Sequence, residues 1–424
     1  MKNTRERVNS YANKKEFFCY TFFSFFAIQC YDFLCKQPRK YFRHQRSQIE
    51  SIPSRKDEIG LKSNTYYSIM NCDTGRTIKV NGEDEFLLNQ NEDGFYSLTN
   101  KNGKYLHFAS NSAELSENEK FFNITLDNSY NRYQIITDGG LVLTDDDKGE
   151  TNEASLSLRA SKYRGIESGW YFTEAGEERP LKVAFVGDSI TCGVSPADTF
   201  VPGGFRTELS SKLLHEEGRI VCVGTLKHAR NGNVPATDNT TIDDDHLYRH
   251  EGHSGWVIHY QEAYRGGHDD NNRGIDDDGV YLLNDGVTQE ERHVRRTLME
   301  KYNPDVVFLM IGFNDIGMSN GDYDGIIERW KTLVNNILGS MQDNGALIVG
   351  SVHNRPYNER LEEAIKLLKD DRVILSDTFN ALSAVRRDGI SSDGVHLNST
   401  GNAIIANTYF DCFASIRNKI KGIQ

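Results

Sequence analysis

The sequence predicts an all-β domain followed by an α/β domain built on a mostly parallel sheet. Two observations carry this expectation. Between Thr65 and about Glu174, short alternating runs are punctuated by Asp-Thr-Gly, Lys-Asn-Gly and Asp-Gly-Gly, the turn chemistry that hairpins demand. After "ERPLK", apolar strand-like runs alternate with stretches of helical period, the pattern of a parallel sheet with helices on both faces.

The chain has 424 residues, room for two domains and a short appendage. Residues 1–62 form that appendage. A basic stretch with Arg5, Arg7, Lys14 and Lys15 precedes the Phe-rich run Phe17–Leu34, which reads as a signal peptide or membrane anchor. Asp32, the absence of an A-x-A-like cleavage site and the basic residues that follow keep an interfacial helix or a misassigned start open as well. The expected location is therefore secreted or membrane-anchored, or cytoplasmic if the run is no signal. Residues 36–62, polar and basic with Pro38 and Pro53, read as a linker.

Residues 63–176 make the all-β domain. Tyr67-Ser68-Ile69, Tyr96-Ser97-Leu98 and Tyr133-Gln134-Ile135 each open a strand, meet a glycine turn and return as a second strand. Three related units that cannot bury their faces alone suggest a β-trefoil, with a compact β-sandwich as the alternative. The pattern resembles the fascin-like and ricin-like trefoils that often bind glycans, although no Q-x-W signature is present.

Residues 180–424 make the α/β domain. Strands are expected at Lys182–Gly187, Ile220–Gly224, Asp305–Gly312, Ala346–Val352 and Arg372–Phe379, and the clearest helix at Asp324–Met341. Ligands of such sheets bind beyond the carboxyl ends of the strands, and that is where unusual residues gather. The first strand ends in Gly187-Asp188-Ser189 and the third in "IGFND", with Asn314. "EGHSGW", with His253, Gly255 and Trp256, follows a long loop, and "SSDGVHLN" sets Asp393 three residues before His396.

Each stretch is an ordinary turn by itself, but together they supply the parts of acyl transfer. Ser189 is a weak nucleophile that needs a base, and His396 has the right chemistry. Asp393 would orient the imidazole. The Ser189 and Gly255 amides and the Asn314 side chain would bind an oxyanion. Asp188, Arg206, His253 and Trp256 are candidate substrate contacts.

The blocks Gly187-Asp188-Ser189-Ile190, Gly255, Gly312-Phe313-Asn314-Asp315 and Asp393-Gly394-Val395-His396 resemble those of the SGNH (GDSL) hydrolases, over about Leu181 to Ile420. The resemblance implies a flavodoxin-like three-layer α/β/α domain, no cofactor, and Ser189, Gly255, Asn314 and His396 as the four name-giving residues. "PGGFRTELSSKL", "VGTL" and "EGHSGW" are similar to carbohydrate esterases of the acetyl xylan esterase type. Phe205 and Leu397 depart from that pattern, where Tyr and Pro are usual. The implied partner is an acetylated polysaccharide or oligosaccharide. A lipase-type acyl hydrolase and a non-catalytic glycan-binding protein are the alternatives.

Other classes are disfavoured. A net charge of -12 without a broad basic surface argues against nucleic acid. Membrane contact is expected only through the N-terminal segment. Seven scattered cysteines without a C-x-x-C give neither a disulfide framework nor a zinc site. Cys192 and Cys222 read as core residues. No metal is expected: the acidic insertion "GGHDDNNRGIDDDG" and Asp243-Asp244-Asp245 read as solvated loops, because Arg273 breaks the spacing of a calcium loop.

Overall fold

The computed structural model describes residues 60–422, apart from two longer stretches (228–248 and 259–297) and short ones at 110–111, 128–131, 149–150, 161–165, 197–198, 200, 319–320 and 386–387. The Phe-rich run Phe17–Leu34, expected as a signal peptide or anchor, the acidic insertion and Asp243–Asp245 lie outside the described residues.

Ten strands among the described residues form the N-terminal domain: β1 (Thr65–Asn71), β2 (Glu85–Gln90), β3 (Tyr96–Thr99), β4 (Tyr105–Ala109), β5 (Ser112–Ser116), β6 (Phe122–Asp127), β7 (Arg132–Thr137), β8 (Leu141–Asp145), β9 (Leu156–Ala160) and β10 (Trp170–Glu174). Antiparallel pairing runs β1–β2–β3–β6–β7–β10 and back to β1, so six strands close into a barrel. Closure removes the open edges that two stacked sheets keep, which excludes the sandwich alternative. Hairpins β4–β5 and β8–β9 extend from the ring. Ile69, Phe86, Leu88, Leu98, Ile135, Leu143 and Trp170 pack one apolar cluster with no solvent exposure. The Trp170 indole N–H meets the Leu143 carbonyl at 3.1 Å, so the ring is buried without an orphaned donor.

The C-terminal domain runs β11 (Leu181–Gly187), α1 (Ser189–Cys192), α2 (Phe205–Glu217), β12 (Ile220–Val223), β13 (Glu251–Gly252), α3 (Leu298–Tyr302), β14 (Val306–Met310), α4 (Phe313–Met318), α5 (Tyr323–Ser340), β15 (Ala346–Gly350), α6 (Arg355–Leu368), β16 (Val373–Ser376), α7 (Thr378–Ser383) and α8 (Ser399–Ile420). Its main strands lie in the order β12-β11-β14-β15-β16, every pair parallel. In chain order this is 2-1-3-4-5, the flavodoxin-like arrangement, which reverses direction between β11 and β14. Crossovers leave that point in opposite directions, and right-handed connections then put α2 and α5 on opposite faces. α8 packs on α2, and α6 on α5.

Local chemistry explains most boundaries. In α5, Ile326, Ile327, Trp330, Val334 and Ile337 are buried at helical spacing, and the Asp322 carboxylate caps its start by accepting from the Gly325 N–H. Strand β16 ends at Ser376 rather than at the expected Phe379, because Asp377 accepts from the Asn380 N–H and starts α7 instead. Phe205 packs wholly buried against Phe185 and Tyr409, so its ring is part of the core.

The two domains share apolar packing. Met70, Cys72, Ile166 and Tyr171 of the barrel side belong to the same buried cluster as the strands and helices of the α/β sheet.

Strand β13 is short and was not anticipated from the sequence. It extends the β12 edge of the sheet, pairing Glu251 with Val186 and Gly252 with Gly187. A Cβ on Gly252 would lie 2.4 Å from the Cys192 nitrogen and 2.6 Å from the Thr191 carbonyl carbon. Both are backbone atoms and cannot swing aside. Gly252→Ala is expected to cost about 1–3 kcal/mol by overpacking, read as a fall in Tm.

Candidate active site

The site lies where the sheet order reverses. β11 stops at Gly187, and Asp188 caps the short helix α1, its carboxylate accepting from the Ile190 N–H at 3.0 Å. Ser189 takes the first helical position. Its own N–H has no intrahelical acceptor there, and its hydroxyl lies 2.9 Å from His396 Nε2, across 207 residues of chain. On the other side of the ring, His396 Nδ1 lies 2.7 Å from Asp393 Oδ2.

The loop that carries the imidazole is rigid by its own bonding. Asp393 Oδ1 accepts from the backbone N–H groups of Val395 and His396 at 2.9 and 3.0 Å. The Ser391 N–H donates to the His396 carbonyl at 2.7 Å, and Asn398 caps α8 directly afterwards. Burial raises the Asp393 carboxyl, but the His396 ring and the two amides outweigh it and hold the group down to about 2. Asp393 therefore stays ionised, the state that favours a proton on Nδ1 and leaves Nε2 to accept from the Ser189 hydroxyl.

The opposite wall is the segment 250–258. Its course is fixed by β13 and by the His253 N–H, which donates to the Gly187 carbonyl at 2.9 Å. Gly255 adopts a left-handed backbone with φ of 82°, and the space around its missing Cβ is open. Glycine is needed there for its conformation rather than for close approach. Asn314, in the first turn of α4 beyond β14, donates from Nδ2 to the Trp256 carbonyl at 2.7 Å. This bond uses one N–H of its amide and orients the other. Asp315 holds the far end of the segment, accepting from the Ile258 N–H at 2.9 Å.

Sequence reasoning missed Glu251. Its buried carboxylate accepts from the Thr225 backbone N–H, from the Thr225 hydroxyl at 3.0 Å and pairs with His253 Nε2 at 2.9 Å. The only signal for it was its place in "EGHSGW". His253 in turn stacks flat on Trp256, ring centroids 3.7 Å apart and planes 9° from parallel. These two expected substrate contacts thus form a braced pair within the wall.

Two other expected contacts are corrected by burial. Arg206 is 1% exposed and donates to the carbonyls of Thr191 and Cys192 at 2.7 and 3.2 Å. It braces the end of α1 from below and offers nothing to a ligand. Asp188 is also 1% exposed, committed to its capping bond, with Oδ2 lacking a hydrogen-bond partner.

Burial, with Asp315 adding repulsion, pushes the Asp188 carboxyl up to about 7 against the pull of the Ile190 N–H and His396. A carboxyl raised from its ordinary value near 4 binds its proton more tightly in the folded state. The stability it confers is complete at low pH and is lost progressively as pH rises from about 4 to about 7. Asp188→Asn keeps the capping oxygen and removes the charge. Its Tm relative to wild type is expected to improve between pH 5 and pH 8, measured by thermal melts across that range.

Among the described residues no group of three or more His, Cys, Asp or Glu side chains is placed to hold a metal ion.

Residues 185–404, just over half of the chain, match the GDSL-like Lipase/Acylhydrolase family. A 242-residue stretch is 25% identical to a multidomain esterase of Ruminococcus flavefaciens, covering 52% of this chain and 27% of that protein. The chain thus matches only about a quarter of that relative's length. Similar solved structures include a family 3 carbohydrate esterase from Talaromyces cellulolyticus, with 19% identity, coverage of 57% of this chain and 100% of that one, and a TM-score of 0.39. Another is a family 3 carbohydrate esterase from Clostridium thermocellum, with 25% identity, coverage of 58% and 99%, and a TM-score of 0.39. With its strand order, its site at the sheet reversal and the match over residues 185–404, the chain belongs to the GDSL-like lipase/acylhydrolase family.

Proposed function

We propose that the protein is a serine esterase of the SGNH type that removes short acyl groups, acetyl foremost, from a carbohydrate such as acetylated xylan. The observation that carries this reading is the hydrogen-bonded run from Ser189 through His396 to Asp393. Ser189 Oγ attacks the ester carbonyl as His396 Nε2 takes its proton, and Asp393 stabilises the resulting imidazolium. The oxyanion faces the Ser189 and Gly255 amides and the Asn314 side chain. One such donor is worth about 3 kcal/mol of transition-state stabilisation. His396 then returns the proton to the departing sugar oxygen. In the second half, water gives a proton to His396 as it attacks the acyl-enzyme, and His396 passes that proton to the departing Ser189 oxygen, freeing the acid and the serine hydroxyl.

The carbohydrate assignment is supported by the "PGGFR" and "EGHSGW" blocks. A polymeric substrate also fits the secreted or anchored location read from the leader. We read the barrel as a β-trefoil with a glycan-positioning role. Its support is a threefold plan: ring strands come as the pairs β1/β2, β3/β6 and β7/β10. Hairpins β4–β5 and β8–β9 fall within two pairs, and the bridges Met70–Thr77 and Val80–Glu83 fall within the first.

The test is acetate release from acetylated xylan, mannan, pectin and chitin fragments, beside p-nitrophenyl esters of increasing acyl length. The expected result is release from at least one polymer and a maximum at the acetyl ester. A maximum at long chains assigns the site to lipid esters instead.

A further inference from the structure

The barrel reaches the site wall through one buried guanidinium. Arg249, 2% exposed, stands directly before the segment 250–258. Its Nε and Nη2 donate to the two oxygens of Asp73 at 2.6 and 2.7 Å, a bidentate pair. Its Nη1 donates to Asp147 Oδ2 at 2.7 Å and to the Gly224 carbonyl at 2.8 Å. Both carboxylates belong to the barrel domain.

Those carboxylates are themselves fixed in advance. The Asp73 N–H donates to Asn71 Oδ1 at 3.0 Å, and Asp73 also pairs with Lys227 at 2.6 Å. The Asp147 N–H donates to Asp145 Oδ1 at 3.1 Å, and Asp145 is locked by the fully buried Arg76. Tyr302 Oη donates to Asp147 at 3.1 Å from α3. The segment that follows Arg249 is also tied to its own domain, by the Glu251 carboxylate on Thr225 and by the His253 N–H on the Gly187 carbonyl, and Arg249 is the residue that ties its start to the barrel. β13 pairs only two residues with β11, and His250 meets Leu226 in an isolated bridge.

We propose that the barrel domain is a positioning module for the hydrolytic site: Asp73 and Asp147 hold Arg249 and thereby set the course of residues 250–256. Because that course places the Gly255 amide and the Trp256 carbonyl that orients Asn314, the inference rests on the oxyanion roles proposed above. Asp73, Asp147 and Arg249 are positioning residues and touch no substrate. A displacement of about 1 Å in a reacting geometry is enough to cost on the order of 100-fold in rate.

The test uses the full chain as wild type, Asp73→Asn, Asp147→Asn, Arg249→Ala and Arg249→Lys, with p-nitrophenyl acetate kinetics beside amide hydrogen exchange. Asp73→Asn is expected to lower kcat between about 10- and 100-fold with KM within about twofold. Amides of residues 250–258 should exchange faster while those of β11 keep their rate. Arg249→Lys, which retains the charge, should recover part of the loss relative to Arg249→Ala. If Asp73→Asn fails to fold, the partly exposed Asp147→Asn carries the same expectations. Unchanged exchange in 250–258 in a folded variant overturns the proposal, and so does an acceleration spread evenly over both domains. If wild type shows no hydrolysis, the esterase reading fails, and the exchange pattern alone decides whether the barrel sets this segment.

Discussion

Ser189→Ala is expected to lower kcat for p-nitrophenyl acetate by about 10⁵-fold or more, with little change in KM or Tm. Removing one member of a unit that acts together costs nearly as much as removing all of it, and only oxyanion binding and substrate positioning remain. The fold should not notice the change. The hydroxyl's hydrogen bond is to His396, while the helix start depends on Asp188 and backbone groups. Cys192, three residues on, supplies no substitute nucleophile, because it is fully buried. Steady-state kinetics of wild type and variant check this. Equal rates from both proteins would remove the nucleophile assignment.

Asp393→Asn is expected to cost about 10⁴-fold in kcat. The asparagine oxygen retains the two backbone bonds from Val395 and His396, so the turn survives. Its NH₂ group, however, takes the place of the oxygen that faces Nδ1 and now donates to it. The imidazole is then driven to the tautomer with its proton on Nε2, which cannot accept from Ser189. Acid stability should change as well. A carboxyl held down to about 2 stabilises the folded state above the ordinary value near 4, and that contribution fades as pH falls through about 2. The variant lacks this contribution, so its Tm deficit against wild type should shrink on acidification. Rates at neutral pH and melts from pH 2 to 7 test both statements.

Much of this site was legible because its parts sit at strand exits. From Val183 in β11 and throughout β14 the strands are continuous apolar runs, fully buried, and the polar residues that end them mark where the backbone leaves the sheet. Ser189 and Asn314 stand out as candidates for that reason, and His396 through its spacing from Asp393. Burial after the exit was not legible. Asp188 and Arg206 look like ligand contacts in a string of letters, yet one caps α1 and the other fastens its end from beneath. Strand β13 is only two residues long, too short for any periodicity. The ion pairs of Arg249 join residues 102 and 176 positions apart, and nothing local announces them. Barrel closure is hidden for the same reason, since β1 meets β10 across about a hundred residues.

The apolar seam contributed by Met70, Cys72, Ile166 and Tyr171 has a consequence for how the molecule comes apart. Cutting the chain between the domains would uncover this oily face on each half, so neither piece behaves as a detachable cassette. Heat should dissolve both in one cooperative step, and a graft of the catalytic half onto another carrier must bring a matching cover with it.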